Sequence, residues 1–240
     1  MTPEAFEAIR DCEVLVGYRG YVQLVLNMLK GDLGGEKEII PSGMTQEVER
    51  ARLAIERALA GQKVCLVSGG DPGIYGMAGV VLEVLREEEI LRLPIEIIPG
   101  ITSASACASL LGAPLMNDFV VISLSDRLTD LRLIEKRIES ACQGDFVLVL
   151  YNPKSRTRSE PFKKAWEILM RYRSPETVVG VVRNAKRKGE RVRITHLRSL
   201  STFRGIDMGT TIVVGNSATY IKGKYMITPR GYRIGEGEAR

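Results

Sequence analysis

Residues 68–76 read SGGDPGIYG and combine the residue types that let bare backbone approach a ligand. Gly69, Gly70, Gly73 and Gly76 admit close contact and positive φ, Pro72 stiffens the turn, and Asp71 supplies its one fixed charge. Three more loops follow apolar runs in the same way: PGITSAS (99–105), LSDRLTD (124–130) and YNPKSRTR (151–158). At the strand ends of an α/β sheet, backbone amides and helix N-termini face an open crevice, so these four loops are where a small ligand is expected. The loop at 68–76 matches no nucleotide fingerprint. G-x-G-x-x-G is missing from the strand-to-helix position, and neither G-x-x-x-x-G-K-[ST] nor a G-x-S-x-G nucleophile elbow occurs. Standing alone, a Gly/Asp/Pro loop is also an ordinary tight turn; its weight here comes from the other three loops.

Metal chemistry has little support. Cys12, Cys65, Cys107 and Cys142 are far apart, no C-x-x-C pair occurs, and His196 is the single histidine. Each cysteine sits in an apolar stretch and is read as a small buried hydrophobe. His196, in the alternating run RVRITHL, is read as structural, and Tyr75 and Trp166 as packed in a core or an interface.

The elements that must position these loops follow from apolar periodicity. Thr2 and Pro3 predict a helix start, and that helix runs into EVLVGY (13–18), a short strand. A helix over YVQLVLNMLK (21–30), a strand at EIIP and a helix over 45–60 ending at Gly61 come next. KVCLVS (63–68) reads as a strand buried on both faces, with helical spacing from about 75 to 88. LPIEIIPG followed by a helix over Thr102–Leu111 repeats strand, loop, helix, which predicts a mainly parallel sheet. GAPLMND (112–118) reads as a linker, dividing the chain into an α/β domain over 1–115 and a second over 116–240. The second half offers FVVISL, a helix near 131–141, DFVLVLY, a helix around Trp166, then TVVGVV, RVRITHL and TTIVVG. The last three leave little room for helices between them, so this sheet is expected to be mixed, with antiparallel pairs. The tail IGEGEAR has no apolar pattern and is expected to fray.

At 240 residues and 45% hydrophobic content the chain can bury a substantial core, and a disordered chain is excluded. No apolar stretch is long enough for a membrane span and no signal-peptide order opens the chain, so a cytoplasmic protein is expected. Charge is unequal between the halves. Residues 1–115 hold 10 Lys/Arg against 16 Asp/Glu (net −6), and residues 116–240 hold 24 against 13 (net +11). That asymmetry suits a partner with several negative charges, either a nucleic acid or a polycarboxylate.

Taken together, SGGDPGIYGMA, PGITSASA, SLSD, LYNPKSRTR, TTIVVGNS and MITPRGY resemble the tetrapyrrole methylases, most closely the precorrin-3B / cobalt-factor III carbon-17 methyltransferases of cobalamin biosynthesis. The resemblance covers nearly the whole chain. It implies a two-domain α/β fold, a homodimer, and S-adenosylmethionine bound in the cleft between domains. Carried over by residue, it implies cofactor contacts from Gly69, Gly70, Asp71, Ile74, Thr102 and Ser103, and from Tyr151, Asn152, Ala185 and Thr211. It also implies methylation of carbon 17 coupled to ring contraction, by a positioned displacement that needs neither metal nor covalent intermediate. The carboxylate side chains of such a substrate give the basic half a purpose. Arg19, Lys154, Arg156 and Arg158 are candidates to pair them, with Ser125 and Asp126 as polar neighbours. Asp126 serves equally well as a turn or N-cap residue, and no catalytic base is named. Family members open with an apolar strand and a GxGPG-type loop before the Thr-Pro helix, and this chain starts just past that point; a misplaced start codon is the preferred expectation, and a true loss of that strand and loop the alternative.

Two other readings compete. Methylation of another tetrapyrrole position, or of a non-tetrapyrrole substrate, shares the cofactor loops but does not call for YNPKSRTR. A basic nucleic-acid-binding protein would rest on RNAKRKGERVR (183–193), which lacks interleaved aromatics and reads equally as a hairpin or exposed loop.

Overall fold

The computed structural model describes residues 1–29 and 34–233, so Lys30 of the second predicted helix and the tail IGEGEAR lie outside the described residues. In chain order the elements are α1 (Pro3–Asp11), β1 (Val14–Tyr18), α2 (Arg19–Leu29), β2 (Glu38–Ser42), α3 (Glu47–Leu59), β3 (Val64–Val67), α4 (Met77–Val84) and α5 (Glu87–Ile90). There follow α6 (Ser103–Leu111), β4 (Gly112–Ala113), β5 (Phe119–Ser123), α7 (Leu131–Gln143), β6 (Val147–Tyr151) and α8 (Glu160–Tyr172). β7 (Val178–Arg183), β8 (Arg191–His196), a 3₁₀ turn at Leu197–Ser199, β9 (Thr210–Val214), β10 (Tyr220–Lys222) and β11 (Tyr225–Ile227) complete the chain. It divides into two compact units, Met1–Thr102 and Ser103–Arg240.

The first unit is built on a parallel sheet in the order β2-β1-β3, as the buried apolar runs require. Val14, Leu15 and Val16 of the central strand are fully buried. Thr2 caps α1 through its Oγ1, which accepts from Ala5 N, and Pro3 occupies the first turn where its missing N–H costs nothing. At the other end of α1, Lys37 Nζ donates to the carbonyls of Ile9 (2.8 Å), Arg10 (3.0 Å) and Cys12 (3.0 Å). A cation there meets the negative end of the helix dipole.

Two predicted elements differ. LPIEIIPG forms no strand: residues 94–102 enter no ladder, and Ile95 and Ile97 are 41% and 49% exposed. A strand exists only through its partner's hydrogen bonds, Pro94 and Pro99 remove two donors, and β3 is the edge of the sheet beside which no further strand lies among the described residues. The helix expected over about 75–88 starts at Met77 and breaks at Leu85. There Arg86 turns extended and exchanges hydrogen bonds with Glu89 to begin α5.

The second unit carries a five-stranded mixed sheet, β5-β6-β9-β7-β8, in which β5 and β6 pair in parallel and the other neighbours pair antiparallel. Its strands alternate strictly between two cores. Leu148, Leu150, Val179, Val181, Ile212 and Val214 face Ile134, Ile138, Phe162 and Leu169 of α7 and α8. Val147, Val149, Val178, Val182 and Val213 face Ala104, Cys107 and Leu111 of α6 and Met226 of β11. Both sheet faces are therefore covered, which is why these strands read as unbroken apolar runs.

The division between units falls at Thr102/Ser103, ahead of the expected 115/116, because α6 belongs to this second core. The presumed linker 112–118 is also partly structured, since Gly112 and Ala113 form β4 and pair with Met226 and Ile227. Gly180 of β7 faces Leu111, and a Cβ at Gly180 would run into the Leu111 methyls. Gly180→Ala is expected to cost about 1–3 kcal/mol by overpacking, read as a lower urea midpoint at unchanged slope.

Candidate active site

In the first unit the two glycine loops meet through one carboxylate. Asp71 Oδ1 accepts from Gly73 N (2.8 Å) inside its own loop, and Oδ2 accepts from Gly100 N (2.9 Å) in the other. Gly100 lies so close that a Cβ there would collide with the Gly70 carbonyl. Gly70 itself takes positive φ (79°), and Gly69 is covered by the ring of Tyr21, leaving no room for a side chain. Asp71, a candidate ligand contact on sequence grounds, thus spends both oxygens holding SGGDPG against PGIT.

That clamp leaves backbone groups available. The amides of Gly69, Gly70 and Asp71 bond to no partner among the described residues, while Met77 N reaches Ser68 Oγ (3.3 Å) to start α4. Ile74 (40% exposed), Tyr75 (61%) and Ile101 (56%) present apolar surface beside them. Tyr75, with φ of 52°, is therefore outside the core, one of the two places expected for it. Thr102 is half-buried, and Ser103 is exposed as the first residue of α6.

Sequence reasoning missed Arg50. It is 4% exposed in α3 and donates to Ser42 Oγ, to the Gly43 carbonyl (2.7 Å) and to Met77 Sδ (3.5 Å), while Ser42 Oγ donates to the Gly17 carbonyl (3.1 Å). One guanidinium thus joins the C-terminal ends of β1 and β2 to the start of α4. The available signal was an arginine on the helix face shared with Ala51, Ala54 and Ile55, where a cation is out of place unless it has partners. Beside it, Tyr18, Arg19, Gly20, Gln23, Ser42, Gly43 and Met44 line a cavity of about 520 Å³ with Arg19 on its wall.

In the second unit, the loops after β5 and β6 are braced by Arg158. Its side chain is 12% exposed and donates to the carbonyls of Leu124 and Asn152 (2.9 Å), with Asp126 Oδ1 3.7 Å from Nε. Burial lowers its pKa and the nearby Asp126 opposes that shift. Arg158 is thus turned inward, away from the role of a free substrate cation. The N-cap of α7 is Asp130, which accepts from Arg132 N (2.7 Å), so Asp126 is not the cap. Asn152, at φ 53°, donates to Ser123 Oγ (3.0 Å), which also accepts from Ser125 N (3.2 Å). Tyr151 accepts at its hydroxyl from Ala104 N (2.7 Å), tying the end of β6 to the first turn of α6.

The remaining candidates are scattered in role. Lys154 Nζ lies 4.1 Å from the Phe162 ring centroid and its pKa is lowered by burial, whereas Arg156 is exposed. Thr211 is buried in β9. Ala185 sits in the β7–β8 turn, which is pinned at Asn184 N by the Gly209 carbonyl (2.9 Å). The basic run 183–193 is this hairpin. Its first cation, Arg183, pairs with Asp207 (2.8 Å). Trp166 packs against the core and donates through Nε1 to the Leu197 carbonyl (3.1 Å), next to His196 at the end of β8.

Loops of this kind at parallel strand ends, followed by a mixed second sheet, define a class. The chain belongs to the tetrapyrrole (corrin/porphyrin) methylase family, whose profile matches residues 1–201. It is 47% identical over 234 residues to a probable cobalt-factor III C(17)-methyltransferase of Salmonella typhimurium, covering 98% of this chain and 94% of that protein. It is 48% identical over 236 residues to a cobalt-factor III methyltransferase of Priestia megaterium; this covers 97% of the chain but spans only 43% of that longer relative. The crystal structure of the methyltransferase CobJ superposes with a TM-score of 0.84 at 33% identity, covering 95% of this chain and 93% of that one.

Asp71→Ala removes both acceptors of the loop clamp and is expected to cost about 1–3 kcal/mol of stability, measured by chemical unfolding. Asp207 gives a pH signature. Burial alone would raise its pKa, but hydrogen bonds from Arg183, Gly209 N and Thr210 together lower it. Its contribution is therefore complete above the unfolded carboxylate value of about 3.9 and is lost as pH falls through the lower folded value. Asp207→Asn should flatten the acid limb of the melting-temperature profile, and an unchanged limb would contradict this.

Proposed function

We propose that this protein is an S-adenosylmethionine-dependent methyltransferase acting on carbon 17 of a precorrin or cobalt-precorrin, with ring contraction, in corrin-ring assembly. The observation that carries the reading is the clamped pair of loops, with amides at Gly69 and Gly70 unbonded among the described residues, in a chain nearly half identical to proteins named as cobalt-factor III methyltransferases.

The donor set fits such a cofactor. Open amides suit its carboxylate or ribose hydroxyls, Ile74 and Ile101 give an apolar surface for a flat base, and Thr102 and Ser103 add hydroxyls. When bound, the cofactor supplies an electrophilic methyl group on sulfur. The chain's own work is to orient that group and keep water from it, since alignment at about 3–3.5 Å can contribute several kcal/mol to the rate. The proposed cofactor contacts extend to Tyr151, Asn152, Ala185 and Thr211 of the second unit. Asn152 would act there mainly by holding backbone, as its side chain is already bonded to Ser123.

Substrate carboxylates are assigned to Arg19, Lys154 and Arg156, with Ser125 and Asp126 as polar neighbours, and Arg158 is assigned to holding that loop in shape. A homodimer in the cytoplasm completes the reading. No helix among the described residues is long and apolar enough to cross a membrane.

Isothermal titration with S-adenosylhomocysteine should give one site per chain with micromolar affinity, and Gly100→Ala, which forces the two loops apart, should remove it. No heat of binding to a folded wild-type protein would overturn the cofactor assignment. Arg156→Glu should raise the KM for the tetrapyrrole about three- to fivefold, the range of an exposed ion pair, with unchanged affinity for S-adenosylhomocysteine. An unchanged KM would remove Arg156 from the substrate site, and turnover only with a tetrapyrrole methylated elsewhere would reassign the position.

A further inference from the structure

The cavity at the ends of β1 and β2 has two arginines at hand and no carboxylate in its lining. Arg19, the exposed first residue of α2, stands on its wall and makes no hydrogen bond or ion pair among the described residues. Ser42 and Gly43 also line it, and both are bonded by Arg50, which is 4% exposed. A guanidinium carries five N–H bonds. Three of those on Arg50 go to Ser42 Oγ, the Gly43 carbonyl and Met77 Sδ, and the rest meet no acceptor among the described residues. No described carboxylate pairs with it either. A buried cation without a counter-ion is costly, because only a nearby negative charge repays its lost hydration. Two such cations beside an acid-free cavity create a positive potential that a bound anion would relieve.

The lining also says what kind of anion. The Tyr18 ring is held edge-on to Tyr21, with centroids 5.3 Å apart, and Met44 is 60% exposed, so apolar surface stands next to the charge. That mixture suits a carboxylate on a short alkyl arm, its methylenes against Tyr18 and Met44 and its oxygens toward the Arg19 fork. An inorganic ion gains nothing from the apolar part. The cavity adjoins the glycine loop as well. Tyr21 covers Gly69, and Arg50 reaches Met77 at the start of α4.

We propose that this cavity is a subsite for one alkyl-carboxylate arm of the substrate, paired directly by Arg19 and favoured by the uncompensated charge of Arg50. The identity of the arm-bearing molecule rests on the methyltransferase reading above; the preference for a carboxylate rests on the cavity alone. Arg19 is the binding residue. Arg50 is a positioning residue that shapes Ser42 and Gly43 and lends its charge through them.

The test titrates the ¹⁵N-labelled full chain with sodium propionate, against sodium chloride at equal ionic strength. Propionate should shift the amides of Gly20 and Gly43 saturably, and Arg19→Gln should abolish the shift. Silent Gly20 and Gly43 amides, an equal response in Arg19→Gln, or an equal response to sulfate would overturn the proposal. A second arm uses uroporphyrin III, whose side chains are all alkyl carboxylates, followed by its fluorescence. Arg19→Gln should weaken its binding about tenfold, the range of a hydrogen bond to a charged group, and Arg19→Lys should stay within about threefold. Arg50→Met should weaken it about tenfold and Arg50→Lys less than threefold, with affinity for S-adenosylhomocysteine unchanged in each. Loss of S-adenosylhomocysteine binding in Arg19→Gln with unchanged uroporphyrin binding would give the cavity to the cofactor's carboxylate and overturn the assignment. A wild type that binds propionate here but no S-adenosylhomocysteine would fault the methyltransferase reading and leave the carboxylate subsite standing. The wild-type titration needs no variant, so a misfolded Arg50→Met leaves the test intact.

Discussion

The site in the first unit depends on one carboxylate holding two turns of backbone together. Asp71 uses one oxygen to shape its own loop and the other to hold Gly100, and the two loops approach so closely that a Cβ at Gly100 would collide with the Gly70 carbonyl. The arrangement explains why glycine dominates both turns. It also explains how the amides at Gly69 and Gly70 stay unbonded among the described residues: the clamp needs only the amides of Gly73 and Gly100. Such amides are costly if buried dry and useful if a ligand meets them.

The same economy recurs wherever a charge lies near a strand end. Arg50 and Arg158 are each an enclosed guanidinium that braces strand-end loops, Arg158 through the carbonyls of Leu124 and Asn152, Arg50 through the Gly43 carbonyl, Ser42 Oγ and Met77 Sδ. A planar five-donor group can satisfy several carbonyls that diverge from neighbouring strands, which no neutral side chain of similar size can do. Lys37 serves the C-terminus of α1 in like manner. Part of the chain's positive charge is thus internal scaffolding. The cations left exposed, such as Arg19 and Arg156, are the ones free to meet an anionic partner.

Much of the architecture was legible because it rests on local periodicity and on turn chemistry. The buried parallel strands, the Thr2–Pro3 helix start and the mixed second sheet follow from apolar runs, caps and the shortness of connections. The loops bearing chemistry were legible for the same reason, since Gly, Pro and Asp after an apolar run have few other uses. LPIEIIPG failed because its pattern is that of a strand, while a strand also requires a ladder partner that no local pattern encodes. The unit boundary failed because α6 chooses its core by packing Cys107 and Leu111 against the second sheet, not by its neighbours along the chain.

By itself the sequence determined the class of the protein and the residues worth watching, because residue type and spacing record which backbone shapes and which buried faces are allowed. Only the tertiary structure decided what each charge does. Asp71 and Arg158 both read as ligand contacts along the chain, and both turned out to bond backbone from loops distant in sequence. The physical reason is that a charged group takes whichever partners the fold brings within about 3 Å, and those partners lie 29 and 34 residues away here.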